Sequence, residues 1–594
     1  MDILGISCYY HDAAAALLRD GQIVAAAEEE RFSRIKHDFG FPKNAIQFCL
    51  DAGDIKGPDL DYVVFFEKPF RKLDRLLMTV LQTYPLSWKV FRESMITWMI
   101  DKLWVGSTIE DELGVSKEKV LFCEHHLSHA ASAFLCSPFE EAAILTVDGV
   151  GEWVTSTCGM GRGNQTHLTG QTEFPHSLGL LYSAFTAFLG FEVNEGEYKV
   201  MGMAPYGQPR YVDKVWKLIY QNDDGSFTLD MNYFSFHHST DKTFNRRFVE
   251  LFGEPRPPQM YFYTRASGFP KYFGEPPANY DEMCKRNQHY ADIAASIQRV
   301  TEEVLIRMAR SLQQKTGMKH LCIAGGVGLN SVANGRILRE TEFEQLYIQA
   351  AAGDGGGALG AALWAYHSLL GKPRVATMEH AYLGRCYSAD EIAGFLRENR
   401  IPHRQIEEEG ALLNAVVDRL VNAKVVGWYQ GRFEWGPRAL GNRSILADPR
   451  NPEMKDIVNS KIKFREPYRP FAPSVLAEDA ETYFDLPAAP THYPARFMLY
   501  VVPVKQSKQF VLPAITHVDG TGRLQTVFRE TNARYYSLIE RFGQATGVPV
   551  LMNTSFNLKG EPIVTTPANA FNTFSKSEMD TLVLGDFLID KTAL

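Results

Sequence analysis

Short apolar runs separated by turn residues dominate the first thirty positions of the chain. ILGISC (3–8) predicts a buried strand, and two further apolar runs flank Asp20-Gly21, a dipeptide typical of a two-residue hairpin. The order of buried strand, acidic residue with glycine, and hairpin recurs in AAILTVDGVGEWVTSTCGMGRGNQTHLTGQTEF (142–174). This repeat predicts an α/β domain built from two related halves, although two unrelated β-hairpins would produce the same short-range pattern.

Helical periodicity follows each of these segments. KVLFC (119–123) predicts a short strand that leads into a helix over EHHLSHAASAF (124–134), and 290–317 has a long amphipathic pattern that Gly317 ends. The apolar stretch 77–100 is interrupted by a proline and by charged residues, so it predicts two amphipathic helices rather than a membrane span. These helices either pack as an ordinary insertion or form a lid or wall over a pocket.

Apolar strands resume in the last third of the chain, in AKVVGWYQG, PFAPSVLA, RFMLYVVPV and GVPVLMNTSFN. They predict a second α/β domain. The predicted boundaries are a first domain at 1–372, a linker at 373–384 and a second domain at 385–594. An insertion at about 208–290 is rich in aromatic residues, proline and charge, which predicts irregular structure there.

The composition is that of a soluble globular protein, with 45% hydrophobic and 22% charged residues in a chain of 594. The net charge of −8 argues against a nucleic-acid partner, because binding to that polyanion needs a basic surface. The N-terminus lacks the basic and apolar regions of a signal peptide, and the eight cysteines are scattered without a CxxC pair. Reduced thiols and a cytoplasmic location are therefore expected.

Three histidines within five positions make EHHLSHAASAF a candidate metal site. On a helix, His125 and His129 lie one turn apart on one face, whereas His126 points about 100° away and is set aside as structural. Asp148 and Asp354 each follow a predicted strand and can supply carboxylates at the same sheet edge. Two histidines and two aspartates suit a borderline divalent ion such as iron(II), and the alternative is that the histidines are ordinary polar residues of a helix.

Glycine-rich turns open two predicted helices, at GGVGLNSVANG (325–335) and GDGGGALGAAL (353–363). Glycine lets the main chain approach phosphate closely, and free N–H groups at helix starts bind anions, so both turns are candidate nucleotide loops. Neither turn matches the P-loop or the dinucleotide fingerprint. Tight helix packing is the alternative explanation of the glycines.

Basic residues cluster in the second predicted domain among turn-forming and aromatic residues. Guanidinium groups clustered in such turns favour bidentate binding of a small oxyanion over a solvated basic stretch. The stretch LMNTSFN adds the hydroxyl of Ser555 and the amides of Asn553 and Asn557. The basic residues are Arg432, Arg438, Arg443, Lys461, Lys463, Arg465 and Arg469.

These motifs, taken in order along almost the whole chain, resemble the O-carbamoyltransferase family of nodulation and of antibiotic or other natural-product biosynthesis. The family is similar to a fusion of an ASKHA-type (actin/Hsp70-like) domain with a YrdC-like domain, which implies those folds for 1–372 and 385–594. The stretches that carry the resemblance are ILGISCYYHDAAAALL, EEERFSRIKHD, EHHLSHAASAF, YKVMGMAPYG, AGGVGLN, GDGGGALGAAL, FEWGPRALGNRSILADPR, REPYRPFAPS and MNTSFN.

The resemblance implies a two-stage reaction with ATP as cosubstrate. The YrdC-like domain would combine carbamoyl phosphate and ATP into carbamoyl-adenylate, and the ASKHA-type domain would transfer the carbamoyl group to a hydroxyl of a small natural-product or sugar acceptor. Neither nucleic acid nor a membrane is an expected partner, and a homodimer is the assembly considered. The acceptor stays undetermined, because 70–105 and 208–290 carry no motif of the family.

The resemblance also implies roles for individual residues. His125, His129, Asp148 and Asp354 would be ligands or neighbours of an iron(II)-type metal, with Mg²⁺ accompanying ATP. Asp12 or His11 would act as the base toward the acceptor hydroxyl. Lys463 and Arg438 would also act in catalysis, and the residues that would bind nucleotide and carbamoyl phosphate are Gly325, Gly326, Asn330, Gly355, Arg438, Lys463, Arg469, Ser555 and Asn557.

Two other functions stay open on the sequence alone. A tRNA threonylcarbamoyl-type transferase would share the ASKHA-type domain, but the acidic net charge argues against it. A non-catalytic nucleotide- or metal-binding protein would keep the fold without the reaction, and the cluster of arginines and lysines argues against that loss.

Overall fold

The computed structural model describes residues 1–594 except 101, 464, 465 and 467, and the side chains of 99, 100 and 271 are not described either. The chain divides into two compact units. The first unit comprises Met1–Glu29, Asp38–Tyr261 and Asp281–Met378, and the second comprises Glu30–His37, Phe262–Tyr280 and Glu379–Leu594. Residues 30–37 and 262–280 thus belong to the second unit, which local sequence patterns did not indicate. The exact domain limits at 372 and 385 stay predictions.

The first unit begins with a five-stranded sheet. Its strands are β1 (Asp2–Ser7), β2 (Ala14–Arg19), β3 (Gln22–Glu28), β4 (Tyr62–Phe65) and β5 (Val120–Phe122), in the order β3-β2-β1-β4-β5. The first three strands form an antiparallel meander, with the predicted Asp20-Gly21 turn between β2 and β3. β4 and β5 extend the sheet in parallel from β1.

A second five-stranded sheet follows in the same unit. Its strands are β6 (Glu141–Val147), β7 (Val154–Arg162), β8 (Gln165–Glu173), β11 (His320–Ala324) and β12 (Gln345–Tyr347), and a separate hairpin is formed by β9 (Ile219–Gln221) and β10 (Phe227–Leu229). The sheet order is β12-β11-β6-β7-β8. β6, β7 and β8 are antiparallel, and β11 and β12 are parallel to β6.

The two sheets repeat a single topology. In each sheet an antiparallel meander of three strands is followed by two strands that add in parallel to the first strand of the meander. Unrelated hairpins would share the meander but not the two later parallel strands. The predicted duplication is therefore confirmed, and the first unit is an α/β domain built from two related halves.

Eleven longer helices accompany these sheets in the described part of the chain before residue 379. The predicted helix over 290–317 starts earlier, at Tyr280, and ends at Thr316, directly before the predicted stop at Gly317. The stretch 77–100 contributes to two helices, as predicted. The helices are α1 (Lys43–Gly53), α2 (Pro69–Thr83), α3 (Trp88–Ile100), α4 (Val105–Leu113), α5 (His125–Phe134), α6 (Leu178–Phe188), α7 (Glu197–Met203), α8 (Arg246–Phe252), α9 (Tyr280–Thr316), α10 (Ser331–Glu340) and α11 (Asp354–Leu363).

Helix α11 packs against its neighbours at main-chain distance. A Cβ atom added at Gly360 would lie 1.9 Å from the carbonyl oxygen of Ser128 in α5, and one added at Gly5 in β1 would lie 1.8 Å from the carbonyl oxygen of Ala358 in α11. Both distances are far below van der Waals contact. Tight helix packing, one of the two explanations of the glycine-rich turn at 353–363, therefore accounts for Gly360.

The second unit contains one mixed sheet of nine strands. Trp428 and Phe542 lie in its fully buried core, where helices pack on the sheet. The second α/β domain predicted from the sequence is thus present. Its strands are β13 (Arg404–Gln405), β14 (Val426–Tyr429), β15 (Arg443–Ala447), β16 (Ala472–Leu476), β17 (Tyr500–Pro503), β18 (Thr521–Val527), β19 (Val550–Ser555), β20 (Thr581–Leu584) and β21 (Phe587–Asp590). They lie in the order β13-β21-β20-β14-β15-β19-β16-β18-β17. The longer helices of this unit are α12 (Ala389–Glu398), α13 (Glu409–Val421), α14 (Ala533–Thr546) and α15 (Pro567–Lys576).

Among the described residues, no helix is both long enough and apolar enough to cross a bilayer.

The close approach at Gly360 gives a stability prediction. We expect Gly360→Ala to destabilise the first unit by about 1–3 kcal/mol or more, because the new methyl group overlaps a main-chain carbonyl that only a shift of a whole helix can move. Gly394→Ala in α12 is the matched control. A Cβ at Gly394 meets nothing within 4 Å, so alanine there should stabilise its helix by about 0.5–1 kcal/mol. Denaturant unfolding followed by circular dichroism measures both changes, and equal stability of the two variants would contradict the packing argument.

Candidate active site

Four side chains from three places in the first unit meet at one buried point. His125 and His129 lie on α5, which starts three residues after β5, Asp148 follows the end of β6, and Asp354 is the first residue of α11. None of the four is more than 6% exposed. The predicted His and Asp residues are thus brought together by the sheet edges and by the tight packing of α11 on α5.

The potential ligand atoms of these four residues converge. The two Nε2 atoms of His125 and His129 are 3.1 Å apart, and Asp148 Oδ2 is 3.2 Å from the first and 3.9 Å from the second. Asp354 Oδ1 lies 3.7 Å from His125 Nε2 and 3.6 Å from His129 Nε2. One ligand atom from each residue lies within 4.8 Å of all the others. We call these four residues the His/Asp cluster.

The His/Asp cluster fits a divalent cation. Two ligand atoms that are each 2.1 Å from an ion and at right angles lie about 3.0 Å apart, close to the observed Nε2 separation. His125 Nδ1, His129 Nδ1 and Asp354 Oδ2 are buried, yet they have no hydrogen-bond partner among the described residues. Two imidazole and two carboxylate donors suit first-row metals such as iron, manganese or zinc. The donor set therefore fits the predicted metal without selecting one ion.

The charges within the His/Asp cluster favour the binding of a cation. Burial alone would lower the pKa of His129, but the carboxylates of Asp148 and Asp354 outweigh it and raise the pKa to about 9. For Asp148, burial acts to raise the pKa, and hydrogen bonds to His125 and His129 hold it well below its usual range. At neutral pH and without a metal ion, His129 is thus protonated on both ring nitrogens, and metal binding would displace a proton from it.

His126 takes no part in the cluster. Its Nδ1 lies 2.6 Å from Thr146 Oγ1, and its Nε2 lies 2.9 Å from the carbonyl oxygen of Val154. Burial, and then the neighbouring histidines, keep its pKa well below the ordinary value, so the ring is neutral. His126 is a structural residue that ties α5 to the second sheet.

The glycine-rich turn after β11 lies directly behind Asp148. The main-chain N–H of Gly326 donates to Asp148 Oδ1 over 2.8 Å, which leaves Oδ2 for the cluster. Gly325 has a φ of 90°, and a Cβ there would lie 2.2 Å from the carbonyl oxygen of Val147. Asn330 caps α10, because its Oδ1 accepts from Ala333 N over 3.1 Å. Gly325, Gly326 and Asn330, which are predicted to bind nucleotide, therefore each also have a structural role in this turn.

The loop that carries the predicted base lies beside the first turn of α11. His11 Nδ1 is 2.7 Å from Asp12 Oδ2. A Cβ at Gly355, the fourth predicted nucleotide residue, would lie 3.6 Å from the carbonyl oxygen of Asp12, an ordinary contact. Burial acts to lower the pKa of His11, but Asp12 and then Asp354 raise it to about 9. His11 is therefore protonated at neutral pH, and Asp12 is its anionic partner.

In the second unit the structure brings three of the predicted phosphate-binding residues together. Lys463 Nζ lies 2.8 Å from Asn557 Oδ1, 2.9 Å from the Asn557 carbonyl and 3.3 Å from Ser555 Oγ. Ser555 Oγ also donates to Asn557 Oδ1 over 2.7 Å. Lys463 is buried, so its positive charge is held at one point by fixed oxygen acceptors. This group resembles a preorganised anion site with its cation in place.

The predicted arginines of the second unit have different surroundings. Arg443 donates to the carbonyl oxygens of Gln430, Asn442 and Gly431, and its guanidinium lies 3.7 Å from the centre of the Tyr429 ring. Arg432 likewise donates to main-chain carbonyls, those of Leu383 and Gly384. These two arginines hold turns together, and oxyanion binding by the basic cluster stays a prediction. Arg438 and Arg469 are half-buried, Arg469 pairs with Glu466 at 3.7 Å, and Arg465 lies outside the described residues.

Sequence reasoning missed several charged residues around these sites. Glu434 Oε1 accepts from the main-chain N–H of Leu440, Asn442 and Arg443 and so organises the turn before β15. Glu152 accepts from the N–H of His125 over 3.0 Å and thereby fixes the start of α5. An acidic residue within two positions of a glycine, as in GEW and FEWG, was the available signal, because an acidic side chain in a turn can accept from free main-chain N–H groups.

Comparison with known proteins places the chain in a family. Residues 2–363 match the model described as Carbamoyltransferase N-terminus, and residues 417–591 match Carbamoyltransferase C-terminus. The chain belongs to the carbamoyltransferase family, and it is a transferase.

Three curated relatives show how far the similarity extends. An uncharacterized protein of Synechocystis, sll1178, is 46% identical over 100% of this chain and 97% of its own length. Nodulation protein NolNO of Sinorhizobium fredii is 37% identical over 98% of this chain and 79% of its own length. The 3'-hydroxymethylcephem-O-carbamoyltransferase of Streptomyces clavuligerus is 33% identical over 45% of this chain and 48% of its own length.

Among solved structures, HypF from T. kodakarensis is similar over 62% of this chain and 48% of its own, with 13% identity and a TM-score of 0.32. At that TM-score the likeness carries no argument here.

Proposed function

We propose that the protein is an ATP-dependent O-carbamoyltransferase that uses carbamoyl phosphate and modifies a hydroxyl of a small acceptor. The observation that carries this proposal is the buried His/Asp cluster beside the His11–Asp12 pair, in a chain that matches both parts of the carbamoyltransferase family. A relative that is named as an O-carbamoyltransferase supports the choice of a hydroxyl as the acceptor.

Activation of the carbamoyl group is assigned to the second unit, for which the YrdC-like resemblance is an expectation. Water releases phosphate from carbamoyl phosphate, and an oxygen of the resulting carbamate attacks the α-phosphorus of ATP while pyrophosphate leaves. The positive charge of Lys463, held by Ser555 and Asn557, would stabilise the negative charge that develops on the phosphate oxygens. Arg438 and Arg469 are the candidate further cations.

Transfer is assigned to the first unit. His125, His129, Asp148 and Asp354 would hold a divalent cation of the iron(II) type, which acts as a Lewis acid on a carbonyl oxygen when bound. Asp12 accepts the proton of the acceptor hydroxyl, whose oxygen then attacks the carbamoyl carbon as AMP leaves. His11, with a pKa of about 9, is a poor base at neutral pH, and its contact with Asp12 at 2.7 Å orients that carboxyl group. Asp12 is therefore the better of the two candidate bases.

The nucleotide is assigned to the glycine-rich turns of both halves of the first unit, at Gly325–Gly326 and at the start of α11. Mg²⁺ would accompany its phosphates. A cytoplasmic location is part of the same proposal and is supported by the eight free cysteines.

A tRNA-modifying role is the second candidate function. The net charge of −8 disfavours it, because a tRNA-binding surface must neutralise many phosphates. Retention of tRNA in a gel-shift assay at moderate salt would favour it over the small acceptor.

A direct assay tests the proposal. Metal-replete protein is incubated with ATP and ¹³C-labelled carbamoyl phosphate, pyrophosphate is measured first without an acceptor, and a panel of hydroxylated metabolites is then screened by mass spectrometry for a labelled carbamoyl group. We expect pyrophosphate release that depends on carbamoyl phosphate, and AMP together with a carbamate ester once an acceptor is present. Pyrophosphate release that is unaffected by carbamoyl phosphate would contradict the proposal.

A further inference from the structure

Three cationic side chains from the segment that carried no recognised motif gather beside the His/Asp cluster. Lys72 and Arg75 lie on α2, and Lys102 follows α3. Lys72 is 4% exposed, and its Nζ pairs with Glu67 Oε2 at 2.6 Å. Arg75 donates to the carbonyl oxygen of Gly151 over 2.9 Å. We call Lys72, Arg75 and Lys102 the cationic cluster.

Contacts tie the cationic cluster to the His/Asp cluster. Glu67 Oε2, the partner of Lys72, lies 4.0 Å from Nδ1 of His125, on the edge of the ring that does not face the other ligands. A Cβ at Gly151, whose carbonyl Arg75 binds, would lie 2.8 Å from the ring of the same histidine. Lys72 and Arg75 thus border the proposed metal centre along one side of His125, and Lys102 interacts electrostatically with both of them.

Lys72 also borders the loop of the candidate base. Lys72 Nζ lies 4.7 Å from the centre of the Tyr10 ring, and Tyr10 directly precedes the His11–Asp12 pair. Burial, followed by Asp354 and Asp148, raises the pKa of the Tyr10 hydroxyl far above its usual value, so the ring stays neutral. Lys72 is therefore in contact with the loop of the proposed base and, through Glu67, with the proposed metal centre.

Two of the three cations lack a carboxylate partner of their own in the described part of the chain. Glu67 is taken by Lys72, and Glu152 is taken by the main-chain N–H groups of His125 and Lys68. Among the described residues, Arg75 and Lys102 have no ion pair with a carboxylate. Burial lowers the pKa of Lys102 to about 8, and the neighbouring charge of Lys72 adds to that effect. Cations that are removed from water without a counterion are costly, so the arrangement is suited to an anion that arrives with a ligand.

We propose that the acceptor carries an anionic group, a carboxylate, sulfate or phosphate ester, which binds to Arg75 and Lys102 and so presents a neighbouring hydroxyl to Asp12. This inference rests on the proposed function and names the chemical class of its acceptor, a hydroxylated acid. The tightest anchor is a pair of charge-assisted hydrogen bonds, which are about twice as strong as neutral ones. The nucleotide is a less suitable occupant, because Gly326 of its proposed turn contacts Asp148, whereas Glu67 lies at the Nδ1 edge of His125.

Small anions test the site without knowledge of the acceptor. Equilibrium dialysis compares glucuronate, glucose and glucosamine, which share a ring with hydroxyl groups but differ in charge. We expect the metal-replete wild-type protein to bind glucuronate at least about tenfold more tightly than glucose, and glucosamine no better than glucose, because charged hydrogen bonds contribute on that scale. Equal or tighter binding of the neutral or cationic sugar would overturn the proposal.

Variants then locate the anion. Lys102→Met should bring glucuronate binding down to that of glucose, Lys102→Arg should restore most of the preference, and Lys89→Met, at an exposed lysine of α3, should leave it unchanged. Loss of the preference in Lys89→Met as well would indicate a general surface effect and would refute the assignment to Lys102.

Labelling of the lysine amine gives a second readout. At pH 8, inorganic sulfate at constant ionic strength should slow acetylation of Lys102 in the wild-type protein but not that of Lys89, as measured by mass spectrometry of peptides. If a non-hydrolysable ATP analogue protects Lys102 and its binding weakens in Lys102→Met, the cationic cluster serves the nucleotide and the proposal is wrong.

The outcomes separate this inference from the proposed function. Carbamoyl phosphate-dependent pyrophosphate release is measured on the same preparations and requires neither Arg75 nor Lys102. Pyrophosphate release without preferred binding of glucuronate contradicts only the inference about the acceptor. Preferred binding of glucuronate without pyrophosphate release contradicts only the proposed reaction.

Discussion

Replacement of His129 by alanine is expected to lower the affinity of the first unit for a divalent metal by more than about 100-fold. Even outer-shell partners of metal ligands contribute 10–100-fold to affinity, and His129 Nε2 would be a direct ligand, 3.1 Å from the other imidazole nitrogen. Metal content after dialysis and anaerobic titration calorimetry with iron(II) or manganese(II) measure this loss. Carbamoyl transfer to an acceptor should fall with it, whereas pyrophosphate release should persist, because Lys463 and its partners lie in the other unit.

His126→Gln is the matched control for this variant. Its ring lies on the same helix and is equally buried, but it binds Thr146 and Val154 instead of the cluster. We expect some loss of stability and a metal content close to that of the wild-type protein. A His129→Ala variant that keeps its metal would show that the four residues are only a buried polar network.

Replacement of Lys463 by methionine is expected to slow carbamoyl phosphate-dependent pyrophosphate release by about 10²–10³-fold. Loss of a single preorganised group that stabilises charge in a transition state has an effect of this size. The buried ammonium also orients Ser555 and Asn557, so the anion site loses both its charge and its geometry. Metal binding in the first unit should be unchanged, which distinguishes this variant from His129→Ala.

Lys461→Met supplies the control, because Lys461 lies in the same turn of helix and is more exposed. A similar loss in both lysine variants would indicate a general effect on the turn. The midpoint of thermal unfolding is recorded for each, since methionine at 463 leaves several oxygen acceptors without a donor.

The duplicated fold was predictable because its signal is local. Each half begins with a meander whose strands and turns are set within about thirty residues, and Asp20-Gly21 marks the first hairpin directly. The His/Asp cluster was predictable for a related reason. A spacing of four places His125 and His129 on one helix face, and Asp148 and Asp354 follow strands that end at the same edge.

Other features depend on contacts that no local pattern records. Residues 30–37 join the second unit through bonds such as that from Arg34 to the carbonyl oxygen of Ile563, which is 529 positions away. Lys72, Arg75 and Lys102 occur in helices whose charged residues resemble an ordinary solvated face. Only the fold shows that Lys72 and Arg75 bind Glu67 and Gly151 next to His125 instead.

The main-chain packing of α11 on α5 has a consequence for the size of ion that the cluster accepts. Ser128, between the two histidines on α5, covers Gly360 of α11, so no side-chain layer separates the helix with two nitrogen ligands from the helix that begins at Asp354. The distance between these two helices cannot increase through changes of side-chain rotamer. Ions with ligand distances of 2.0–2.2 Å suit the spacing, whereas calcium, which needs 2.3–2.6 Å and more ligands, would have to push two helices apart. Selection by ionic radius is thus built into the glycine contact between these two helices as well as into the ligands themselves.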